Sequence, residues 1–335
     1  MMTNQSEQPG VGPLRWAPEQ PAWKSLPVDL GMRAAGRLAV GLRAVFGSRA
    51  RDRVGILTYH RITSRVPGFA APLHNVEPDR FADQLRGLLQ KNFQFVSLSR
   101  VLAAAAQGEA LPPRAVVVTF DDGFASVYTQ AWPVLQRLGI PATVFVNTAY
   151  LDSDDPFPFD SWGVTYQGLV AAETYRPLRT AECHKMLESG LIEIGAHTHT
   201  HEDFRGRPNS FHDDLAQSME IVRERFNLED VTFAFPYGGV HTGFAGDELA
   251  DMARAVGVKC GLTTMAELVD LAVSPFKWGR FNVFAWDTSA TLSAKLAGWY
   301  SWAPRARRAV GRLLRVANKS QAGALVVAVN QEEAL

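Results

Sequence analysis

The chain has 335 residues, 34 basic and 34 acidic side chains, and a formal net charge of zero. Hydrophobic residues make up 47% and charged residues 20%, a globular balance that excludes chain-wide disorder and, with no net charge, leaves no nucleic-acid footprint. The two cysteines, Cys183 and Cys260, are far apart and do not form a disulfide framework.

Residues 1–28 are rich in Pro, Gln and Glu and read as a loosely ordered lead-in. They lack a charged region followed by an apolar run, and no stretch reaches 18 uninterrupted apolar residues. These absences favour the cytoplasm, with the inner membrane face as a further option. Residues 30–47 carry a short helical pattern. Between Gly31 and Arg53, six arginines stand against Asp52 alone. Such a basic segment suits an anionic membrane surface or, more plainly, an arginine-rich helix packed on the domain. This N-terminal segment is taken as residues 1–52.

The expected catalytic domain, residues 53–290, alternates apolar runs with helical patterns. Strands are predicted at Val54–Tyr59, Phe93–Leu98, Ala115–Phe120, Ala142–Asn147, Ile192–Ala196, Val231–Phe235, Val258–Leu262 and, more weakly, Arg280–Phe284. A helix from Pro78 places Phe81, Leu85, Leu88 and Leu89 on one face. A second runs from Phe124 to Leu138 and ends at Gly139, with a kink or boundary at Pro133. A third aligns Phe211, Leu215, Met219, Val222 and Phe226. The alternation predicts a parallel α/β barrel or open sheet, in which ligands sit beyond the C-terminal strand ends. Residues 291–335 form a second basic helical segment, with seven basic residues and no acid from Lys295 to Lys319, alongside Trp299, Tyr300 and Trp302.

Three predicted strand exits carry polar residues: Asp121-Asp122-Gly123, then His197-Thr198-His199-Thr200-His201, then Pro236-Tyr237-Gly238. Histidines four apart can aim at one point. Two imidazoles and one carboxylate make a sound ligand set for a divalent ion with positions left open. Adjacent aspartates diverge, so one can bind the metal while the other takes a proton from metal-bound water.

Together these residues resemble the NodB-type polysaccharide deacetylases, carbohydrate esterase family four. The first motif of the family, Thr-Phe-Asp-Asp-Gly, stands at Thr119–Gly123, and the second, His-(Ser/Thr)-x-x-His, at His197–His201. The resemblance spans roughly residues 53–290. It implies a distorted (β/α)7-type barrel and hydrolysis of an N-acetyl or O-acetyl group on a polysaccharide or glycan intermediate. Asp121 would be the base, and Asp122, His197 and His201 would bind Zn²⁺, with Co²⁺ or Ni²⁺ as alternatives. Tyr237, next to Pro236, would offer its backbone N–H to the oxyanion.

Two departures stand out. The third motif, often Arg-x-Pro-Tyr, reads Ala234-Phe235-Pro236-Tyr237, and Arg280 is the candidate replacement for its arginine. No late Leu-x-His exists, leaving His60 and His241 as candidate acids. Trp162 and Trp278 are candidate sugar platforms, with buried packing the stronger alternative. Asp160 is read as an exposed loop residue, with a place at the mouth of the site as the alternative. His199 is expected to point away from the metal, His74 and His212 to lie on the surface, and His184 on a helix. A non-catalytic glycan-binding module on the same fold is the second reading, and a two-His-one-carboxylate iron oxygenase a distant third. The sequence leaves the oligomeric state open.

Overall fold

The computed structural model describes residues 14–17, 22–48, 50 and 53–300. Its strands are β1 (Gly55–Tyr59), β2 (Arg61–Ile62), β3 (Asn75–Val76), β4 (Gln94–Phe95), β5 (Ala115–Phe120), β6 (Ala142–Val146), β7 (Ile192–Ala196) and β8 (Phe281–Asn282). Its α-helices are α1 (Ala22–Phe46), α2 (Pro78–Leu89), α3 (Leu98–Gln107), α4 (Trp132–Leu138), α5 (Ser161–Tyr166), α6 (Thr180–Glu188), α7 (Pro208–Phe226), α8 (Asp247–Val256) and α9 (Ser289–Leu296). The sheet runs β7-β6-β5-β1-β8, all parallel, with β4 beside the start of β5.

Beyond β7 the ring continues through isolated parallel bridges, Ala196 to Phe233 and Ala234 to Leu262. A hydrogen bond from Thr263 N–H to the Trp278 carbonyl (2.9 Å) then leads toward β8. The result is the expected distorted barrel, with single contacts in place of a ladder on one side. The predicted strands 231–235 and 258–262 are therefore not continuous strands, and a register slip explains why. Lys259 N–H reaches the Val231 carbonyl, but Leu262 N–H takes that of Phe233. Three residues on one side thus span two on the other, a bulge around Cys260 and Gly261.

Strand alternation divides the interior. Leu57, Tyr59, Val116, Val118, Phe120, Val144 and Val146 face an outer core shared with Phe81, Leu85, Phe211, Leu215 and Met219 of the helices. Ile56, Val117, Phe145, Ala234, Leu262 and Trp278 face an inner core joined by Leu98 and Val101 of α3. Continued up the strands, the inner parity reaches Thr58, Thr119 and Arg280, and then His60, Asp121 and His197 at the strand exits. A polar layer therefore sits on top of an apolar barrel filling.

The predicted helix 124–138 begins as a π-turn at Val127–Ala131 and becomes α4, with Pro133 in its first turn and Gly139 as left-handed cap. Phe81, Leu85 and Leu88 are buried as expected, whereas Leu89 is 37% exposed.

Both chain ends depart from expectation. α1 starts at Ala22, inside the stretch expected to be loosely ordered, and packs on α9, with Ala35 and Ala39 buried. Lys295, counted with the basic C-terminal face, is 1% exposed and paired with Asp287 at 2.6 Å. The remainder of that segment, 301–335, lies outside the described residues. Among the described residues, no helix is long and apolar enough to cross a membrane.

Candidate metal centre and its surroundings

β5 delivers two aspartates in opposite directions. Asp121 keeps the ladder, donating its N–H to the Tyr59 carbonyl (2.9 Å), and its side chain follows the inner parity. There Arg280 grips it with two parallel hydrogen bonds of 2.6 and 2.8 Å, with both side chains almost wholly buried. The guanidinium also donates to Thr119 Oγ1 (3.2 Å) and the Thr263 carbonyl (3.2 Å), which fixes its plane. Burial resists ionisation of Asp121, but Arg280, then His197 and His60, hold its carboxyl below the usual range.

Asp122 and Gly123 both take left-handed backbone angles, φ 70° and 78°. The resulting turn redirects Asp122, which strand parity alone would send outward, toward the histidines. Its Oδ1 lies 3.5 Å from Nε2 of both His197 and His201. Against the pull of burial, those imidazoles and His60 hold its carboxyl well below the ordinary value.

His197 leaves β7 with its N–H on the Val146 carbonyl (3.0 Å), and its Nδ1 donates to the Ala234 carbonyl (2.8 Å). That bond fixes the tautomer and leaves the Nε2 lone pair facing Asp122. Burial lowers His201 to about 3, more than Asp122 and Asp121 restore. Its imidazole is accordingly neutral and able to ligate. The Phe159 ring stacks on it at 4.0 Å and Tyr237 meets it edge-on at 4.7 Å.

The donor set fits a divalent ion. Asp122, His197 and His201 each offer one ligand atom, all within 4.8 Å of one another. Ligands at about 2.0–2.2 Å around a tetrahedral ion stand about 3.3–3.5 Å apart. The 3.5 Å carboxylate–imidazole separations match that spacing and are long for direct hydrogen bonds.

Asp214 on α7 carries a role the sequence did not announce. Its carboxylate accepts from His199 N–H (2.6 Å), Thr200 N–H (3.2 Å) and Thr200 Oγ1 (2.5 Å), tying down the histidine loop. Burial pushes its carboxyl up to about 6 despite these donors. Helical spacing puts Asp214 beside the apolar stripe of α7, but only the tertiary fold brings the loop over it.

The other candidates separate clearly. His60 ends β1 half-buried and stacks on His74 at 4.8 Å, so His74, although exposed, belongs to the edge of the site. His241 sits exposed on the turn at Val240–Thr242. His199 turns to Thr148, 2.9 Å away. His212 pairs with Asp213, and His184 lies on α6 against Phe226. Asp160 is no exposed loop residue, because it pairs with buried Arg61.

Trp278 is 1% exposed inside the barrel, with its indole N–H on the Val273 carbonyl (2.9 Å), so no face is left for a sugar. Trp162 is 8% exposed, donates to the Ala70 carbonyl (2.6 Å) and packs beside Arg61 and Tyr166. Pro236 leads into Tyr237, whose left-handed backbone (φ 61°) leaves its N–H without an acceptor among the described residues.

Residues 108–261 match the sequence model of a family described as polysaccharide deacetylase. A poly-beta-1,6-N-acetyl-D-glucosamine N-deacetylase of Staphylococcus aureus is 24% identical over 211 residues, 60% of this chain and 64% of its own length. The chain thus matches just under two thirds of that relative. The Staphylococcus epidermidis protein of the same name is 25% identical over 238 residues, 65% of this chain and 73% of its own. The solved structure of IcaB from Ammonifex degensii superposes with a TM-score of 0.59 at 24% identity, covering 74% of this chain and 98% of that one.

Proposed function

We propose that this chain is a NodB-type polysaccharide deacetylase that hydrolyses N-acetyl groups on an exopolysaccharide or envelope glycan. The relatives make β-1,6-linked N-acetylglucosamine the first substrate to try, with O-acetylated sugars as the comparison. The reading rests chiefly on the convergence of Asp122, His197 and His201 beside an Asp121 gripped by Arg280.

Asp122, His197 and His201 would hold a divalent ion, with Zn²⁺ the best fit to a His₂–carboxylate set. Such an ion, when bound, acidifies water and polarises the acyl oxygen. The other steps belong to the chain. Asp121, kept ionised by Arg280, accepts the proton of the attacking water. The free N–H of Tyr237 donates to the oxyanion as the carbonyl becomes tetrahedral. His60, half-buried within the field of both aspartates, donates the proton that lets the amine leave as the C–N bond breaks. Acetate and the free amine are the products. Arg280 supplies the guanidinium that the third motif lacks, which weakens the case for a mere glycan-binding module.

We further assign α1 a peripheral contact with anionic membrane, because its outer face mixes exposed Leu30 and Leu38 with Arg33 and Arg37.

Acetate release from β-1,6-linked N-acetylglucosamine oligomers by Zn²⁺-loaded protein tests the catalytic reading. We expect turnover by the parent, a loss of about 10²–10⁴-fold in Asp121→Asn, and loss of both activity and metal in His197→Ala. Metal-replete protein that binds the oligomer without releasing acetate would instead establish the binding module.

A further inference from the structure

Residues 14–17 precede the matched domain by some ninety positions, yet they fasten onto the loop carrying His201. The Arg15 carbonyl accepts Asp203 N–H at 2.7 Å, and Arg15 N–H approaches the Glu202 carboxylate at 3.4 Å. Trp16 Nε1 donates to the Thr200 carbonyl at 3.5 Å. Ala17 N–H donates to the Tyr237 hydroxyl at 3.2 Å, and that hydroxyl donates to the His201 carbonyl at 3.3 Å. One short segment therefore touches residues on both sides of His201 and reaches His201 itself through Tyr237.

His201 depends on such holding more than His197 does. His197 is oriented through its second ring nitrogen by the Ala234 carbonyl. The corresponding Nδ1 of His201 is buried and has no partner among the described residues. Ring stacking and its backbone are what place it, and that backbone is left-handed, φ 58°. A non-glycine residue is strained there and persists only where its surroundings over-determine it. Thr198 Oγ1, which accepts His201 N–H at 3.1 Å, and Asp214 secure the loop from one side. Residues 14–17 secure it from another.

We propose that residues 14–17 are a strap that positions the metal ligand His201 and, through the shared Tyr237 hydroxyl, the peptide at Tyr237. The proposal rests on the deacetylase reading for the part Tyr237 plays, but on metal binding alone for His201. Tyr237 joins two functions: its hydroxyl links strap to ligand while its N–H faces the reaction.

The test is Zn²⁺ affinity, measured by competition with a chromophoric chelator. It compares the full chain with a variant lacking residues 1–17, with Tyr237→Phe, and with the two combined. The thermal transition of each metal-free protein is recorded alongside. Loss of a group that orients a ligand typically costs about 10–100-fold in metal affinity. We expect a loss of that size in the deletion and in Tyr237→Phe, with metal-free transitions close to the parent. Combining them should cost less than the product of the two, since the Ala17 bond runs through the missing hydroxyl.

Equal affinity in the deletion and the parent overturns the strap. If the deletion fails to fold, Ala17→Pro decides, because it removes that N–H and leaves the segment in place; parental affinity there overturns the proposal as well. A parent that takes up no Zn²⁺ overturns strap and metal centre together. Strap-dependent Zn²⁺ binding without acetate release overturns the deacetylase reading alone.

Discussion

Arg280 and Asp121 meet as a fork on a carboxylate inside a barrel, where neither charge is hydrated. Such a pair is sensitive to geometry as well as charge, because only arginine offers two parallel donors. Arg280→Lys keeps the charge, loses the fork and leaves one carboxylate oxygen short of a partner. Asp121 is depressed mainly by Arg280 acting against burial, so weakening that partner lets burial raise its pKa. A base with a low pKa is ionised throughout the neutral and mildly acidic range, and a raised pKa narrows that range from the acid side. The acid limb of kcat/KM for acetate release should therefore move up by about one pH unit or more in Arg280→Lys, with the alkaline limb unmoved. An unshifted acid limb would mean another group governs it. At this scale the sequence was readable wherever residue type and spacing carried the chemistry. Asp122, His197 and His201 converge on one point, and Arg280, the arginine offered in place of the one missing from the third motif, lies on Asp121. Asp214 and the Arg15–Ala17 contacts were not readable, because each depends on which backbone happens to lie over which loop.

Strands with a continuous ladder were legible almost to the residue. β5 keeps its predicted bounds because its run is buried on both faces, and β7 keeps its own because every residue but the half-buried Glu193 is buried. The segments 231–235 and 258–262 look equally strand-like, but a one-residue slip is invisible to hydrophobic pattern. α9 shows a different limit. Counting charges treats every lysine as solvated, whereas Lys295 lies inside, bonded to Asp287 (2.6 Å) and the Asn282 carbonyl (3.2 Å) beside Tyr300 and Trp286. Asp287 in turn accepts from Phe284 N–H and Thr291 Oγ1, and its carbonyl receives Gln84 of α2. The pair thus ties α9 to β8 and α2. Lys295→Met fits the apolar surroundings but strands a wholly buried carboxylate, a change that typically costs about 3–5 kcal/mol. Urea unfolding at neutral pH should register a loss of that order. A loss under about 1 kcal/mol, the range of an exposed ion pair, would place Lys295 at the surface after all.

On the scale of the molecule, zero net charge conceals a division of labour. Acidic residues are concentrated on the barrel and its helices, while exposed α1 residues from Leu30 to Phe46 include arginines and no acid. One face of α1 is accounted for by buried Ala35 and Ala39 against the domain. The outer face leaves Leu30, Leu38, Val45 and Phe46 between 54% and 74% exposed, with Arg33 and Arg37 among them. Aliphatic side chains would enter a headgroup layer while guanidinium groups pair with lipid phosphates, so the attraction should combine area and charge. Each arginine near an anionic surface contributes about 1 kcal/mol, and reversing both Arg33 and Arg37 to Glu removes at least about 2 kcal/mol, roughly thirtyfold in partition. Cosedimentation with phosphatidylglycerol–phosphatidylcholine vesicles at low salt should show that drop, along with release of the parent as salt shortens the screening length. Leu30→Gln with Val45→Gln, which removes apolar surface and leaves the charge of the face unchanged, should weaken binding while leaving its relative dependence on salt. Parent protein that stays in the supernatant at low salt, or that binds pure phosphatidylcholine equally well, would return α1 to the plainer part of an arginine-rich helix covering α9.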